Sequence, residues 1–342
     1  MRILGISCGS KLTGKLRPGA PIGGNTEVLV KEALMGAEEV GAEVEFIRLL
    51  DLDIRPCIHC EQCLWTRKGP EFCVIKDDAP FLYDRIMECD GLILGAPVYS
   101  KRIPGYLEVF HDRALGPKAD VAFLMEMKKA GGVDRAGQPV RIDERAFKRR
   151  VGGLITNGGS ITPAWLAFDL TMLHLFMFSE QIQIVDQVRF IGVGQWGHVV
   201  LNEKWLERAR QLGRNVAEAL KKPPEEVKWM GEPGVCPVCH CNLIIITGRE
   251  NFVECPVCGI TGKLKVENNK IIVDFPETEQ KRSVLTIEGK REHWFELKDN
   301  LKIAMQRPGR DQIPQKLEKY MGYAESLIYK LWLKRKTESQ KA

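Results

Sequence analysis

The chain has 342 residues, 44% of them hydrophobic, enough for one large core or for two or three smaller ones. No uncharged run approaches the ~18 residues of a membrane span, and no signal-peptide pattern opens the chain, so the sequence predicts a soluble cytoplasmic protein with a main domain and appendages. In that reducing compartment, eleven cysteines with recurrent C-x-x-C spacing point to metal or redox chemistry and away from a disulfide framework.

Over the first 220 residues the hydrophobic period alternates. "MRILGIS", "EVEFIRLL", "GLILGAPVY", "VGGLITNGG" and "QIQIVDQVRFIG" read as strands. The stretches 26–40, 77–89, 163–178 and 203–220 have helical spacing, and Asn25 is an N-cap candidate. Strands and helices in alternation predict an α/β fold, a doubly wound five-stranded parallel sheet of flavodoxin-like order over residues 1–222. Ligands of such sheets bind beyond the carboxyl ends of the strands.

The loop after the first strand has two readings. "GSKLTGK" satisfies most of a Walker A pattern, but Leu16 stands where a hydroxyl must meet magnesium, and "RPGAP" follows where a helix must begin. The two ends of the loop make a better phosphate site: Ser7, Gly9 and Ser10 after the strand, then Gly24, Asn25 and Thr26 opening the helix.

After the second strand come Cys57, Cys60, Cys63 and Cys73, a C-x-x-C-x-x-C group with a fourth cysteine nine residues on, within the loop 57–73. Three close thiolates and a remote fourth suit the corners of a [4Fe–4S] cluster; zinc, or a vacant loop kept for packing, are the alternatives. His59 is expected to be exposed, and Cys8 and Cys89 to be buried thiols.

Beyond Lys222 a proline- and glycine-punctuated linker leads to Cys236, Cys239, Cys255 and Cys258, two knuckles that predict a zinc ribbon over residues 223–275. His240 or Cys241 could replace Cys239. Residues 276–342 form an extension, mixed or helical and mostly helical near its end, with 15 Lys and Arg against 10 Asp and Glu, the whole excess of the net +5 charge. Acids interleave with these bases, so the tail reads as a solvated helical face and a nucleic-acid partner is disfavoured.

"GISCGS" with "GGNT", the cysteines running into "CVIKDD", then "CDGLILGAPVYS" and "FHDR", together resemble the NADPH-dependent FMN reductase group and its iron–sulfur flavoproteins over residues 1 to about 220. The resemblance implies FMN, with its phosphate on Ser7, Ser10, Asn25 and Thr26. The ring would lie near Pro97, Val98, Tyr99 and Ser100 on one side and Asn157, Gly158 and Gly159 on the other. Residues 11–23 and 117–150 depart from the pattern as insertions that could alter substrate access.

The expected function is an FMN-dependent oxidoreductase passing electrons between a ferredoxin-like donor or NAD(P)H, the cluster and FMN, to a small-molecule acceptor. No side chain is needed as acid, base or nucleophile, because the cofactors carry the chemistry. A rigid cysteine loop at a subunit contact would make the protein a homo-oligomer. The competing expectation is a redox sensor that uses ribbon and tail to engage nucleic acid or a protein partner.

Overall fold

The structure is a computed structural model that describes residues 1–9, 23–60, 62, 73–133, 139 and 142–339. Of the expected site residues, Ser10 and Cys63 lie outside the described residues, as do most of the Walker-like segment and of the insertion 11–23.

Five strands, β1 (Arg2–Ser7), β2 (Glu43–Arg48), β3 (Gly91–Pro97), β4 (Arg150–Asn157) and β5 (Ile182–Phe190), form one sheet of order β2-β1-β3-β4-β5. Every pairing is parallel. This is the expected flavodoxin-like doubly wound sheet. Every residue of β3 and β4 is buried, as central strands covered on both faces must be.

Helices α1 (Asn25–Glu39), α2 (Ala79–Glu88), α3 (Gly105–Phe110), α4 (Val121–Lys129), α5 (Asp169–Phe176) and α6 (Glu203–Leu220) cover the sheet. One core cluster joins Leu4, Leu92 and Leu94 to Leu82, Ile86, Phe110 and Phe176 of α2, α3 and α5. The other joins Ile3, Ile93 and Ile155 to Leu29, Val30 and Ala33 of α1 and Leu212 and Val216 of α6. Two glycines bring α1 and α6 together backbone to backbone. A Cβ on Gly213 would stand 1.6 Å from the Ala33 carbonyl oxygen, and one on Gly36 would stand 2.1 Å from that of Arg210. That contact seats α1, and with it the helix N-terminus at the sheet's carboxyl edge.

The expected helix over 163–178 is interrupted. A 3₁₀ turn at Pro163–Trp165 precedes α5, which begins only at Asp169. Within the second insertion, α4 is capped by Asp120, which accepts from the Phe123 amide at 2.8 Å, and it buries Val121, Ala122 and Leu124. Its described part is therefore core-forming.

A second sheet, antiparallel and of order β6-β7-β8-β9, comprises β6 (Ile245–Ile246), β7 (Phe252–Glu254), β8 (Thr261–Glu267) and β9 (Lys270–Asp274). Two compact units divide the chain, Met1–His293 and Trp294–Ala342. The ribbon sheet lies in the first unit, and the second carries helices at Ile313–Glu318 and Leu327–Ser339. Among the described residues no helix is long and apolar enough to cross a membrane.

Candidate functional site: a cradle at the strand ends and two cysteine centres

At the carboxyl edge of the sheet, β1 ends in buried Ser7, and the Cys8 amide donates to the Gly95 carbonyl at 2.8 Å. A Cβ on Gly9 would lie 3.5 Å from Thr26 Cβ, so the loop leaving β1 and the first turn of α1 are in contact. The expected N-cap is displaced by one residue. Gly24 is the cap, and Asn25 is the first helical residue.

The Asn25 side chain bridges instead to the segment after β5, donating to the Gln195 carbonyl at 2.7 Å and accepting from the Val199 amide at 3.3 Å. The Thr26 hydroxyl donates to Asn157 Oδ1 at 2.6 Å, tying α1 to the end of β4. Both side chains are thus engaged within the protein. What they present to an anion is the first-turn main chain, whose N–H groups have no intrahelical acceptor and lie at the positive end of the helix dipole.

Glu27 follows in the same turn. Burial opposes its ionisation, but hydrogen bonds from Lys31 (2.6 Å) and Arg48 (2.6 and 2.9 Å) overcome that and hold its carboxyl below the usual range. The two cations neutralise a charge that would repel a phosphate.

After β3, the Val98 amide donates to the Asn157 carbonyl at 2.9 Å, and Tyr99 and Arg102 exchange main-chain hydrogen bonds at 2.8 and 3.0 Å. Between them Ser100 (φ 49°) and Lys101 (φ 71°) are both left-handed, a conformation that costs a residue other than glycine roughly 1 kcal/mol or more. The turn leaves Tyr99 41% exposed, and Lys101 Nζ lies 4.9 Å from the ring centre of Trp165, itself 54% exposed. Exposed aromatic side chains thus follow both β3 (Tyr99) and β4 (Trp165).

On the other side, the Gly158 amide donates to the Phe190 carbonyl, and a Cβ on Gly159 would come within 2.9 Å of Gly194 Cα. The structure thus brings Ser7, Gly9, Asn25, Thr26, Asn157, Gly158 and Gly159 to one edge, with Pro97–Ser100 hydrogen-bonded to it through Val98. The sequence offers no sign of Gln195, which receives Asn25, or of Trp196, whose buried indole N–H has no hydrogen-bond partner among the described residues. No spacing rule points to them. A helix N-terminus without a competing side-chain cap, a neutralised first-turn acid and exposed aromatic side chains after β3 and β4 fit a phosphorylated aromatic cofactor such as FMN.

The cysteine loop springs from a tight neck. Asp78 accepts from the Asp53 amide at 2.8 Å and Asp77 from the Arg55 amide at 2.9 Å, so the two acids of "CVIKDD" hold both strands of the neck. Arg113, from "FHDR", donates to the Arg55 carbonyl at 2.8 Å and grips both oxygens of Asp77, and both side chains are fully buried. Cys60 and His59 are exposed, whereas Cys57 and Cys73 are half-buried. Cys8 and Cys89 are buried in the core, and burial pushes the Cys89 thiol up to about 12, consistent with packing and not ligation.

In the ribbon, Cys236, Cys239, Cys255 and Cys258 are all buried, with their sulfurs within 4.8 Å of one another. Separations of 3.7 Å (Cys236 to Cys258) and 3.5 Å (Cys239 to Cys255) compare with the ~3.8 Å between vertices of a tetrahedron of 2.3 Å zinc–sulfur bonds. Each knuckle closes with a left-handed residue after its second cysteine, His240 (φ 54°) and Gly259 (φ 68°). His240 stacks on Trp229 at 3.9 Å between ring centres, and the Cys241 sulfur lies 3.5 Å from the Thr171 hydroxyl. Neither belongs to the four.

Comparisons with known proteins agree with this geometry. Residues 1–179 match the family NADPH-dependent FMN reductase. A protein of Aspergillus candidus named flavone synthase is 35% identical over 312 residues, 88% of this chain and 90% of that protein. An iron–sulfur flavoprotein of Methanocaldococcus jannaschii is 31% identical over 227 residues, 65% of this chain and 98% of its own. A solved structure titled flavone reductase superposes with a TM-score of 0.72 at 26% identity, covering 95% of this chain and 99% of that one. The chain belongs to the NADPH-dependent FMN reductase family and is an FMN-dependent flavoprotein oxidoreductase.

Proposed function

We propose that the protein moves two electrons and two protons between NAD(P)H, or a ferredoxin-like donor with protons from solvent, and the carbon–carbon double bond conjugated to the carbonyl of a small planar aromatic acceptor of the flavone class. The observation carrying this reading is the extent of the match. Likeness to the flavone-named proteins runs through ribbon and tail, whereas likeness to the iron–sulfur flavoprotein of M. jannaschii spans 65% of the chain.

When bound, FMN exchanges electrons in pairs or singly, and an iron–sulfur cluster passes them one at a time. The chain's own groups do the placing. Ser7, Gly9, Ser10 and the main chain of Asn25 and Thr26 would hold the phosphate, Pro97–Ser100 and Asn157–Gly159 would border the ring, and Tyr99 and Trp165 offer a flat surface for an aromatic substrate. Cys57, Cys60, Cys63 and Cys73 would hold a [4Fe–4S] cluster as the entry for single electrons. Cys236, Cys239, Cys255 and Cys258 would hold a structural zinc, because so short a ribbon has too little core to fold unaided. Free cysteines suit a reducing compartment such as the cytoplasm, and the projecting cysteine loop suits a contact between copies of the chain.

The test is anaerobic purification, metal analysis and a visible spectrum, followed by incubation of the holoprotein with flavone and NADH, NADPH or reduced ferredoxin, and with flavanone and the oxidised form of each of these donors. Change in the conjugated-carbonyl absorbance is expected with at least one donor. FMN-loaded protein that converts neither compound, in either direction, would exclude the substrate class.

A further inference from the structure

A cavity of about 670 Å³ lies between the ribbon and the amino ends of two strands of the main sheet. It is lined by Arg150 and Ile182, the first residues of β4 and β5, by Pro237, Val238 and His240 of the ribbon, and by Ile287 beyond it. The cradle lies at the other edge: Asn157 ends β4 seven residues further on, about 23 Å away at ~3.3 Å per residue.

Most of the wall is apolar, and Phe147, Trp229 and His240 add rings, the last two stacked at 3.9 Å. Yet three buried polar atoms without a hydrogen-bond partner among the described residues belong to side chains that line it: His174 Nδ1, Gln181 Oε1 and Arg149 Nε. Each costs about 1–3 kcal/mol if left unpaired. The surrounding hydrogen bonds fix what each lacks. Gln187 Nε2 donates to the His240 carbonyl at 3.2 Å, so its Oε1 is the atom 2.8 Å from His174 Nε2 and must accept. The ring proton therefore sits on Nε2. Burial pushes the imidazole down to about 4, so Nδ1 is a bare lone pair at neutral pH. Gln181 Nε2 donates to the Leu285 carbonyl at 2.6 Å, which leaves its Oε1 as a second acceptor. Gln181 keeps this place in a left-handed conformation (φ 53°), strain of the kind that gathers at ligand clamps.

We propose that this cavity is a second small-molecule site, for an apolar aromatic compound bearing hydroxyl groups. A hydroxyl can donate to His174 or Gln181 and accept from Arg149, whereas a carboxylate or phosphate brings acceptors only and would leave both acceptors unpaired. Nor does Arg150 call for an anion, because its guanidinium is committed to the carbonyls of Ile86, Met87 and Arg145 at 3.0, 2.6 and 2.8 Å. Water could pair the three polar atoms but would gain nothing from the apolar wall. The volume falls within the ~300–1,000 Å³ of pockets that enclose drug-sized ligands. Such a ligand would touch β4, β5 and the first knuckle together, so its binding would stabilise the ribbon on the main sheet. The site is independent of the flavone-class reading, which concerns the opposite edge.

The test uses the FMN-loaded holoprotein and two probes of one shape: biphenyl with a hydroxyl on each para carbon, and the same molecule with both hydroxyls methylated, which accepts but cannot donate. Calorimetry should give one site per chain for the dihydroxy probe and an affinity roughly tenfold lower or less for the dimethoxy probe, as expected for lost donors to buried acceptors. Ile287→Trp fills the cavity without altering a cysteine, a cradle residue or any of the three polar side chains, and it should weaken the dihydroxy probe to a similar degree with FMN content unchanged. Gln183→Trp, at an exposed lining position, takes its place if that variant does not fold. His174→Phe removes one acceptor and should narrow the preference between the probes. Equal affinity of the wild type for both probes overturns the inference. So does undiminished binding in the tryptophan variant, which would put the probe at the flavin edge, and so does absence of binding to the wild type, which would leave a cavity for water only.

Discussion

The two cysteine centres are built on opposite plans. In the ribbon, each pair of sulfurs is set by its own knuckle: the His240 amide donates to the Cys236 carbonyl at 2.9 Å and the Gly259 amide to the Cys255 carbonyl at 2.9 Å. Buried apolar neighbours, Val257, Ile260 and Phe275, pack around them. At the loop 57–73 the described contacts lie at the neck, where the carboxylates of Asp77 and Asp78 and the guanidinium of Arg113 from another helix tie the flanking chain together. A centre made of local turns is defined by its four cysteines. One made of a tethered loop is defined by groups remote from them, and it can be changed without touching a thiol.

The largest expected effect falls on the ribbon. Cys258→Ala should abolish stoichiometric zinc and unfold residues 234–275, because structural zinc supplies on the order of 10 kcal/mol to such a motif. Amide exchange should localise the loss to that segment. FMN should stay bound, since the ribbon's hydrogen bonds to the main domain, Gln187 to the His240 carbonyl at 3.2 Å and Thr171 of α5 to Cys241, involve none of the cradle residues. Loss of flavin in this variant would mean that the two centres share one cooperative unit.

Cys60→Ala addresses the loop. Cluster absorption and electron transfer from a ferredoxin-like donor should disappear while FMN content and direct dithionite reduction of the flavin persist. Unchanged iron content would show that the loop thiols hold something else.

A smaller effect belongs to the cradle. Thr26→Val removes the donor to Asn157 and leaves a buried carbonyl oxygen unpaired, a cost of about 1–3 kcal/mol. Flavin affinity measured by fluorescence quenching should fall roughly tenfold or more. An unaltered affinity would show that the Thr26 side chain does not order the phosphate-binding main chain.

These contrasts also separate what the sequence made legible from what it did not. The five strands, their parallel order and the ribbon's cluster of four cysteines follow from local pattern: runs of apolar residues, alternating period and knuckle spacing. The cradle's main chain was legible for the same reason, as a strand end followed by a helix start. Asn25 was misread as a cap because the competing acceptor and donor, Gln195 and Val199, lie about 170 residues away. The helix expected over 163–178 breaks because Asp169 is drawn into the core by Thr156 (2.7 Å) and Arg189 (3.0 Å), partners that only the fold supplies. Arg113 escaped notice likewise, since a lone arginine in an amphipathic stretch carries no spacing signal.

The least effect expected, and the most discriminating between the two plans, is that of pH. The neck should be insensitive near neutrality. For Asp77, burial favours the neutral acid, but hydrogen bonds from Arg113 and from the Arg55 and Ala79 amides outweigh it and hold the carboxyl below the ordinary range, so it stays ionised. The ribbon side is different. Lys290, which follows the ribbon, donates to the Phe178 carbonyl and lies over the Phe178 ring, beside the fully buried Glu180. Burial raises the Glu180 carboxyl to about 8 despite Lys290 and Arg150, and its oxygens have no hydrogen-bond partner among the described residues. Between roughly pH 4.5 and 8 the folded chain therefore keeps a proton that the unfolded chain has lost. By linkage that term is fully present below the unfolded value and is lost as pH rises through 8. Lys290, pushed down to about 8 by burial, stays largely charged over most of this window and does not reverse the sign. Glu180→Gln should consequently leave stability at pH 5 nearly unchanged and raise it at pH 8.5 by on the order of a few kcal/mol at most. Denaturant midpoints at the two pH values measure this. An equal shift at both would mean that Glu180 does not titrate in the fold.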